Sequence, residues 1–269
     1  MQKAVKTNFY LKSEGENQES VEIYIGQNSG KQLKRDILNA KEEVWIVSPY
    51  IDKKNLDDLI ELQNKGVEIK LAFSDLRKEQ RNNILRSLIH QEKKVDEVLK
   101  EKVHKQKRLL SNLFLSMLVT GILFLLYSLT TLKNWDYKGM IGLGASIFSF
   151  LIAGIIIKKK KKISQTPVNS YDYSEKIKFK YFWNDFKNGN VKFIHSKIYI
   201  IDRKIAYVGS LNFTNNGFTS NFETRVRITN TEKLNELIDF VDTIFKDNNN
   251  FKSHQISFLG KQVYTEVQY

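Results

Sequence analysis

The hydrophobic pattern of this chain changes character twice. In the N-terminal stretch, short strand-like and helix-like segments alternate. VEIYIG (21–26) alternates apolar and polar positions and predicts a strand. KQLKRDILNAKE (31–42) places Leu33, Ile37 and Leu38 on one helical face. EVWIVSPYI (43–51) is a buried strand ending at Pro49, and 52–65 is a helix with a stripe of Leu56, Leu59, Ile60 and Leu62. Gly66 suits the end of that helix, and VEIKLAFS (67–74) is a third strand. This β-α-β-α-β order predicts parallel pairing in an α/β layer architecture.

From Asp75 the pattern reads as one long helix, with Ile84, Leu88, Val95, Leu99 and Val103 as a loose stripe. That stripe fits either a stalk or a helix lying on its own domain. The helix runs into LLSNLFLSMLVTGILFLLYSLTTL (109–132), which holds no charge, and GMIGLGASIFSFLIAGIII (139–157) is likewise uncharged. About 20 apolar residues cross a bilayer as a helix, so both runs qualify. The connecting KNWDYK holds Trp135 and Tyr137, residues suited to a membrane–water interface. Ala145, Ser149 and Ala153 recur every four residues, a spacing that lets helices approach closely. A buried hairpin in a soluble core is the competing reading.

The alternating pattern then returns. KISQTPVNSYDYSEK (162–176) is polar and reads as a linker. IKFKYFW (177–183), VKFIHSKIYIID (191–202), KIAYVGS (204–210) and ETRVRI (223–228) read as strands, with a turn at NGN (188–190). TEKLNELIDFVDTIFKD (231–247) is an amphipathic helix with Leu234, Leu237, Ile238, Val241 and Ile244 on one face. The tail, FLGKQVYTEVQY, carries no clear pattern, and no internal repeat is evident. Neither β-rich part makes a comfortable domain alone. The expectation is a discontinuous domain, 1–92 with 164–269, interrupted by an inserted membrane anchor, 93–163.

Charge sharpens the middle of this picture. The chain of 269 residues carries a formal net charge of +13. Residues 93–108 contribute +4 and the KKKKK run at 158–162 another +5, so 9 of the 13 charges flank the apolar runs. Lysines on both outer flanks place both on the cytoplasmic side, with both termini and the α/β domain there. The rest of the chain is only mildly basic, which weakens the case for a surface that coats nucleic acid. The chain has no cysteine, which excludes disulfides and thiolate metal sites and fits a reducing cytosol. The N-terminus has no apolar core of signal-peptide length.

The candidate chemistry lies in HSKIYIIDRKIAYVGSLN (195–212). Residues two apart on a strand share a face, so His195 and Lys197 project together, with Tyr199 beyond. A fixed ammonium beside an imidazole disfavours the imidazolium and leaves the ring nucleophilic. Ser210 and Asn212 offer hydrogen-bonding groups after a turn permitted by Gly209. A cation, a hydroxyl, an amide and a nucleophile together suit a phosphate.

The pattern His195-x-Lys197-x4-Asp202-x6-Gly209-Ser210-x-Asn212 resembles the signature of the phospholipase D superfamily. AKEEVWIVSPYI and GVEIKLAFS resemble that superfamily's N-terminal strands, and Glu223, in SNFETRV, stands where single-motif bacterial nucleases carry a glutamate. The resemblance covers roughly 20–75 and 177–247. It implies a mixed β-sheet flanked by helices, here interrupted by a two-helix transmembrane hairpin. It implies His195 as the nucleophile that forms a phosphohistidine, and His195 of a second copy as general acid and base. Lys197 and Asn212 would bind the non-bridging oxygens, Ser210 would line the pocket, and Glu223 would orient the imidazole. Asp202 belongs to the motif with a structural part to play. No cofactor or metal is required.

His90, His104 and His254 lack a lysine two residues on, so one motif per chain implies a homodimer with an isologous interface. Three functions stay open. The first is a nuclease acting on DNA or RNA; the second is a phospholipid hydrolase or transferase. The third is an inactive membrane adaptor, disfavoured because every motif residue is present. Tyr181, Phe182 and Trp183 are either base-stacking surfaces or core residues, with core favoured.

Overall fold

The computed structural model describes residues 9–14, 20–74, 78–132, 137–182, 193–247, 251 and 254–267. Trp135, Trp183, Asp75 and the NGN turn at 188–190 lie outside the described residues. The chain divides into two compact units. One comprises Met1–Gln91 and Tyr173–Tyr264, the other Glu92–Asp172 and Thr265–Tyr269.

The first unit is built on an eight-stranded sheet in the order β1-β2-β10-β9-β8-β3-β4-β7. The strands are β1 (Phe9–Glu14), β2 (Ser20–Gly26), β3 (Glu43–Val47), β4 (Glu68–Phe73), β7 (Lys178–Tyr181), β8 (Ile198–Ile201), β9 (Ile205–Gly209) and β10 (Glu223–Ile228). The pairs β3–β4 and β4–β7 are parallel and the other five are antiparallel. The expectation of parallel pairing therefore holds for β3 and β4 only. β2 lies beyond three intervening strands, antiparallel to β10. Its register sets Glu22 opposite Arg227, whose guanidinium lies 3.3 Å from the carboxylate. Opposite charges on facing strand positions favour that pairing.

Helices cover both faces of the sheet. On one face, α1 (Gly30–Leu38), α2 (Lys53–Asn64), α3 (Lys78–Leu88) and α8 (Ile256–Val263) send Leu33, Leu56, Leu59, Leu85 and Leu259 against Val44, Ile46, Ile69 and Leu71. On the other, α7 (Thr231–Phe245) packs Leu234, Ile238 and Val241 against Trp45, Val47, Ile198 and Ile200. The alternation of Val44 and Ile46 with Trp45 and Val47 is the period-two rule with both faces buried. Asp52 caps α2, accepting the Asn55 N–H at 2.9 Å. Gly66 follows the helix at φ +95°, a backbone state that glycine adopts without strain. Tyr181 and Phe182 are both buried in the core.

The segment after residue 78 departs from the expected single helix. α3 stops at Leu88 and the chain enters strand β5 (Ile89–Val95), so His90 lies on a strand. β5 pairs with β6 (Asn169–Glu175) in a separate two-stranded sheet, and β6 occupies about half of the expected linker. The tail expected to be patternless contains most of α8 (Ile256–Val263).

In the second unit, α4 (Glu97–Leu132) and α5 (Tyr137–Ser164) run 36 and 28 residues. At 1.5 Å per residue these are about 54 and 42 Å long, and both are apolar enough to cross a membrane. They pack through a seam of Gly121, Ser128, Gly139, Gly142, Ser146, Ser149 and Ala153. The spacing on α5 alternates three and four, not the strict four expected, and Ala145 is only half-buried beside it. Three serines hydrogen-bond across the seam to backbone carbonyls. Ser128 donates to Gly139 O at 2.7 Å, Ser146 to Gly121 O at 2.8 Å and Ser149 to Met117 O at 2.7 Å.

Candidate active site

The strand directions bring the motif to one end of the sheet. β8 and β9 are antiparallel, pairing Ile198 with Val208, and β9 and β10 are antiparallel, pairing Gly209 with Arg225. The start of β8, the end of β9 and the start of β10 therefore share an edge. His195 and Lys197 precede β8, Ser210 and Asn212 follow β9, and Glu223 opens β10. The expected long strand through His195 is shorter than predicted. Residues 193–197 are irregular and β8 begins at Ile198.

His195 is exposed and Lys197 is buried at 7 %. The Lys197 ammonium folds back over the imidazole, 3.0 Å from Nδ1 and 3.3 Å from Nε2, and donates to the His195 carbonyl at 2.7 Å. Burial lowers the Lys197 pKa from its ordinary value, while the Glu223 carboxylate pulls the other way. The Phe193 ring stacks on the imidazole at 5.8 Å between centroids. His195 thus presents an open ring to solvent with a cation fixed at its side.

Glu223 is buried and takes other partners than the expected one. Its carboxylate accepts from Ser210 Oγ and from Asn221 Nδ2 at 3.0 Å, and no hydrogen bond joins it to His195. Ser210 in turn accepts the Thr224 N–H at 3.0 Å. Gly209 makes this junction possible, because a side chain there would strike the Thr224 carbonyl. Close backbone approach, not an unusual turn, is the reason for glycine. Asn212 is half-buried, and its buried Oδ1 has no hydrogen-bond partner among the described residues. An unpaired buried amide oxygen is costly, and no donor among the described residues offsets it.

Asp202 lies at the opposite end of β8 from His195. It sits in the β8–β9 turn at φ +51°, and its carboxylate accepts from Lys41, Glu42 and Glu43 N–H groups at 2.7–3.1 Å. Burial raises its pKa, but these backbone donors outweigh that and hold it below the ordinary 3.8. It ties the turn to the start of β3 and does not reach the imidazole's end of the sheet.

Two residues not singled out from sequence, Ser74 and Ser48, support the site together with Tyr199. Ser74, fully buried at the end of β4, accepts the Ile194 N–H at 2.8 Å and so fixes the residue before His195. Ser48, fully buried after β3, accepts the Phe213 N–H at 2.9 Å. The expected companion Tyr199 points into the core, where burial raises its pKa and its hydroxyl donates to Leu211 O at 2.6 Å. Together Ser48 and Tyr199 hold both sides of Asn212. A lone serine at a strand end gives no sequence signal. Among the described residues, no group of three or more His, Asp or Glu is arranged to hold a metal ion.

Residues 153–247 match the family described as cardiolipin synthase, phospholipase D-like domain. No curated protein matches the chain. Among solved structures, NucT from Helicobacter pylori is similar at 12 % identity, covering 83 % of this chain and 93 % of that one, with a TM-score of 0.40. The phospholipase D family member Nuc from Salmonella typhimurium is similar at 12 % identity, covering 87 % and 99 %, with a TM-score of 0.39. Phosphatidylserine synthase from Haemophilus influenzae covers 84 % of this chain and 38 % of its own at 10 % identity, with a TM-score of 0.37. Over residues 153–247, where the family match and the motif coincide, the chain is similar to the phospholipase D-like domain.

Proposed function

We propose that this protein is a membrane-anchored phosphodiesterase that works through a phosphohistidine. The observation that carries this reading is the exposed His195 imidazole held against the buried Lys197 ammonium. His195 attacks phosphorus as the bond to the leaving oxygen breaks. His195 of a second copy gives that oxygen its proton, then takes one from the water that cleaves the phosphorus–nitrogen bond. Lys197 and Asn212 hold the non-bridging oxygens, where negative charge must be balanced. Ser210 lines the pocket. Glu223 acts on this set through Ser210 and through its charge on Lys197. Asp202 supports the motif without touching substrate. One motif per chain calls for a homodimer.

The catalytic domain is discontinuous, 1–92 with 164–269. The hairpin crosses the cytoplasmic membrane with both ends in the cytoplasm, as the lysine flanks favour. Nucleic acid is the preferred substrate, because a single motif followed by Glu223 resembles the dimeric bacterial nucleases. Phospholipid is the second reading, supported by two helices apolar enough to cross a bilayer.

The test is a paired assay of detergent-purified protein in EDTA beside His195→Ala. One arm offers labelled DNA and RNA, the other phosphatidylcholine, phosphatidylglycerol and cardiolipin micelles. Metal-independent, His195-dependent cleavage of nucleic acid supports the nuclease. Headgroup release with intact nucleic acid reverses the ranking, and silence in both arms overturns the enzyme reading in favour of the adaptor.

A further inference from the structure

The base of the helical hairpin carries a cavity that the phosphodiesterase chemistry does not use. On α4, Lys100, Val103, His104 and Lys107 fall at i, i+3, i+4 and i+7, one helical face. That face lines a cavity of about 230 Å³. Ser164 at the end of α5 and Thr166 and Asn169 beyond it supply hydroxyl and amide groups to the same space, and Lys93 enters from β5. All of these residues belong to the second unit.

The charge around this space is one-sided. No Asp or Glu lines the cavity. Lys100 is paired with Glu97 at 3.0 Å, and Lys94 and Lys105 are paired with Asp172 and Glu101. Among the described residues, no acidic side chain lies within ion-pairing distance of Lys93, His104 or Lys107. Cations gathered at a small concavity repel one another until an anion enters. Hydroxyl and amide groups at its wall match an anion with several acceptor oxygens.

Depth then selects the anion. The uncharged run begins at Leu109. At 1.5 Å per residue, Lys107 lies about 3 Å and His104 about 8 Å outside it along the axis. With a hydrocarbon core of about 30 Å in a bilayer of about 40–45 Å, that depth is the headgroup layer.

We propose that this cavity binds the phosphate of an anionic phospholipid headgroup. The inference rests on α4 and α5 being a membrane hairpin. A zwitterionic lipid brings its own ammonium against these lysines and binds less well, and free phosphate shares the chemistry without the membrane.

The test uses the full chain. Lys93→Gln/Lys107→Gln removes two cavity cations. Lys158→Gln/Lys159→Gln removes the same charge from exposed positions that do not line the cavity. Alkaline extraction of membranes is read first, then phosphatidylglycerol retained on detergent-purified protein by native mass spectrometry. Thermal protection by phosphatidylglycerol, phosphatidylcholine or inorganic phosphate is read beside it. The expected result is a chain that stays in the membrane and retains phosphatidylglycerol over phosphatidylcholine. Affinity should drop at least about tenfold in the cavity variant and little in the control, as each basic residue near a charged bilayer contributes substantially. An extracted chain overturns the membrane reading and the headgroup site together. A membrane-held chain that loses lipid equally in both variants overturns the site alone, leaving diffuse charge. Protection by inorganic phosphate equal to that by lipid overturns the lipid assignment. Lipid-free melting temperatures of both variants separate these outcomes from misfolding.

Discussion

The Lys197 ammonium lies 3.0 Å from the Nδ1 of His195 while its own stem is buried. A buried cation with one open side is a device for meeting an anion. Burial holds its pKa below the ordinary 10.5, and Glu223 opposes that shift. Activity that depends on the ammonium is therefore lost as pH rises through a value lower than an exposed lysine's. Removing the Glu223 charge drives that loss to still lower pH. We expect the alkaline limb of kcat/KM on a chromogenic phosphodiester to move down in Glu223→Gln; an unmoved limb would argue against this coupling.

Lys197→Met separates catalysis from folding. Losing one charged donor to the transition state lowers kcat by about 10²–10³. The folded state holds the charged form at a disadvantage, so Lys197 subtracts stability below its folded pKa. That subtraction fades as pH rises toward 10.5. The variant should show that loss of kcat and be at least as stable as the parent at neutral pH in chemical denaturation. A destabilised Lys197→Met would show that the ammonium is a structural tie.

Asp202 makes the reverse prediction. Its carboxylate holds three backbone N–H groups from Lys41 to Glu43 and carries a lowered pKa. The stability it contributes is present above the ordinary 3.8 and is lost as pH falls below that toward the folded value. Asp202→Ala should cost about 1–3 kcal/mol of stability, more than Asp202→Asn, which keeps one acceptor and tolerates φ +51°. Activity per folded molecule should be unchanged, and a fall in kcat without a fall in stability would return Asp202 to the chemistry.

These contrasts mark what the sequence could reveal. The continuous apolar runs of β3 and β4 and the stripe of α7 were legible because all three elements bury apolar residues. β5 and β6 were not, since IHQEKKV and NSYDYSE leave most positions exposed and are strands because they pair with each other. The place of β2 beside β10 depends on long-range pairing such as Glu22 with Arg227, which no local period records. At the site, the spacing singled out His195, Lys197, Ser210 and Asn212, which the strand directions bring to one edge of the sheet. It did not disclose that Glu223 bonds Ser210 and Asn221, because those contacts arise only when β9 and β10 align.

Ser74 tests how the histidine is held. Its hydroxyl accepts the Ile194 N–H at 2.8 Å in a fully buried setting. Ser74→Ala leaves that donor unsatisfied, at about 1–3 kcal/mol. Ser74→Thr keeps the acceptor. We expect kcat to fall with KM little changed in Ser74→Ala and to recover in Ser74→Thr. Equal activity in the alanine variant at a temperature where it is fully folded would remove Ser74 from the positioning of His195.

The hairpin seam makes the last prediction, and it separates packing from hydrogen bonding. Ser146 donates to Gly121 O at 2.8 Å, yet such bonds between membrane helices contribute only about 0.6 kcal/mol on average. Ser146→Ala should therefore be mild. Gly142 has no such bond to lose, but a Cβ there would stand 3.1 Å from the Tyr127 ring and 3.3 Å from Phe124 O. Anything larger than that single atom must push the helices apart, and the adjoining serines then lose their acceptors as well. Gly142→Leu should thus damage the hairpin far more than Ser146→Ala. Cysteines introduced at Met117 and Ser149, which face each other across the seam, report the separation: cross-linking should persist in Ser146→Ala and fall sharply in Gly142→Leu. If both variants cross-link like the parent, close packing of small residues is not what joins the two helices.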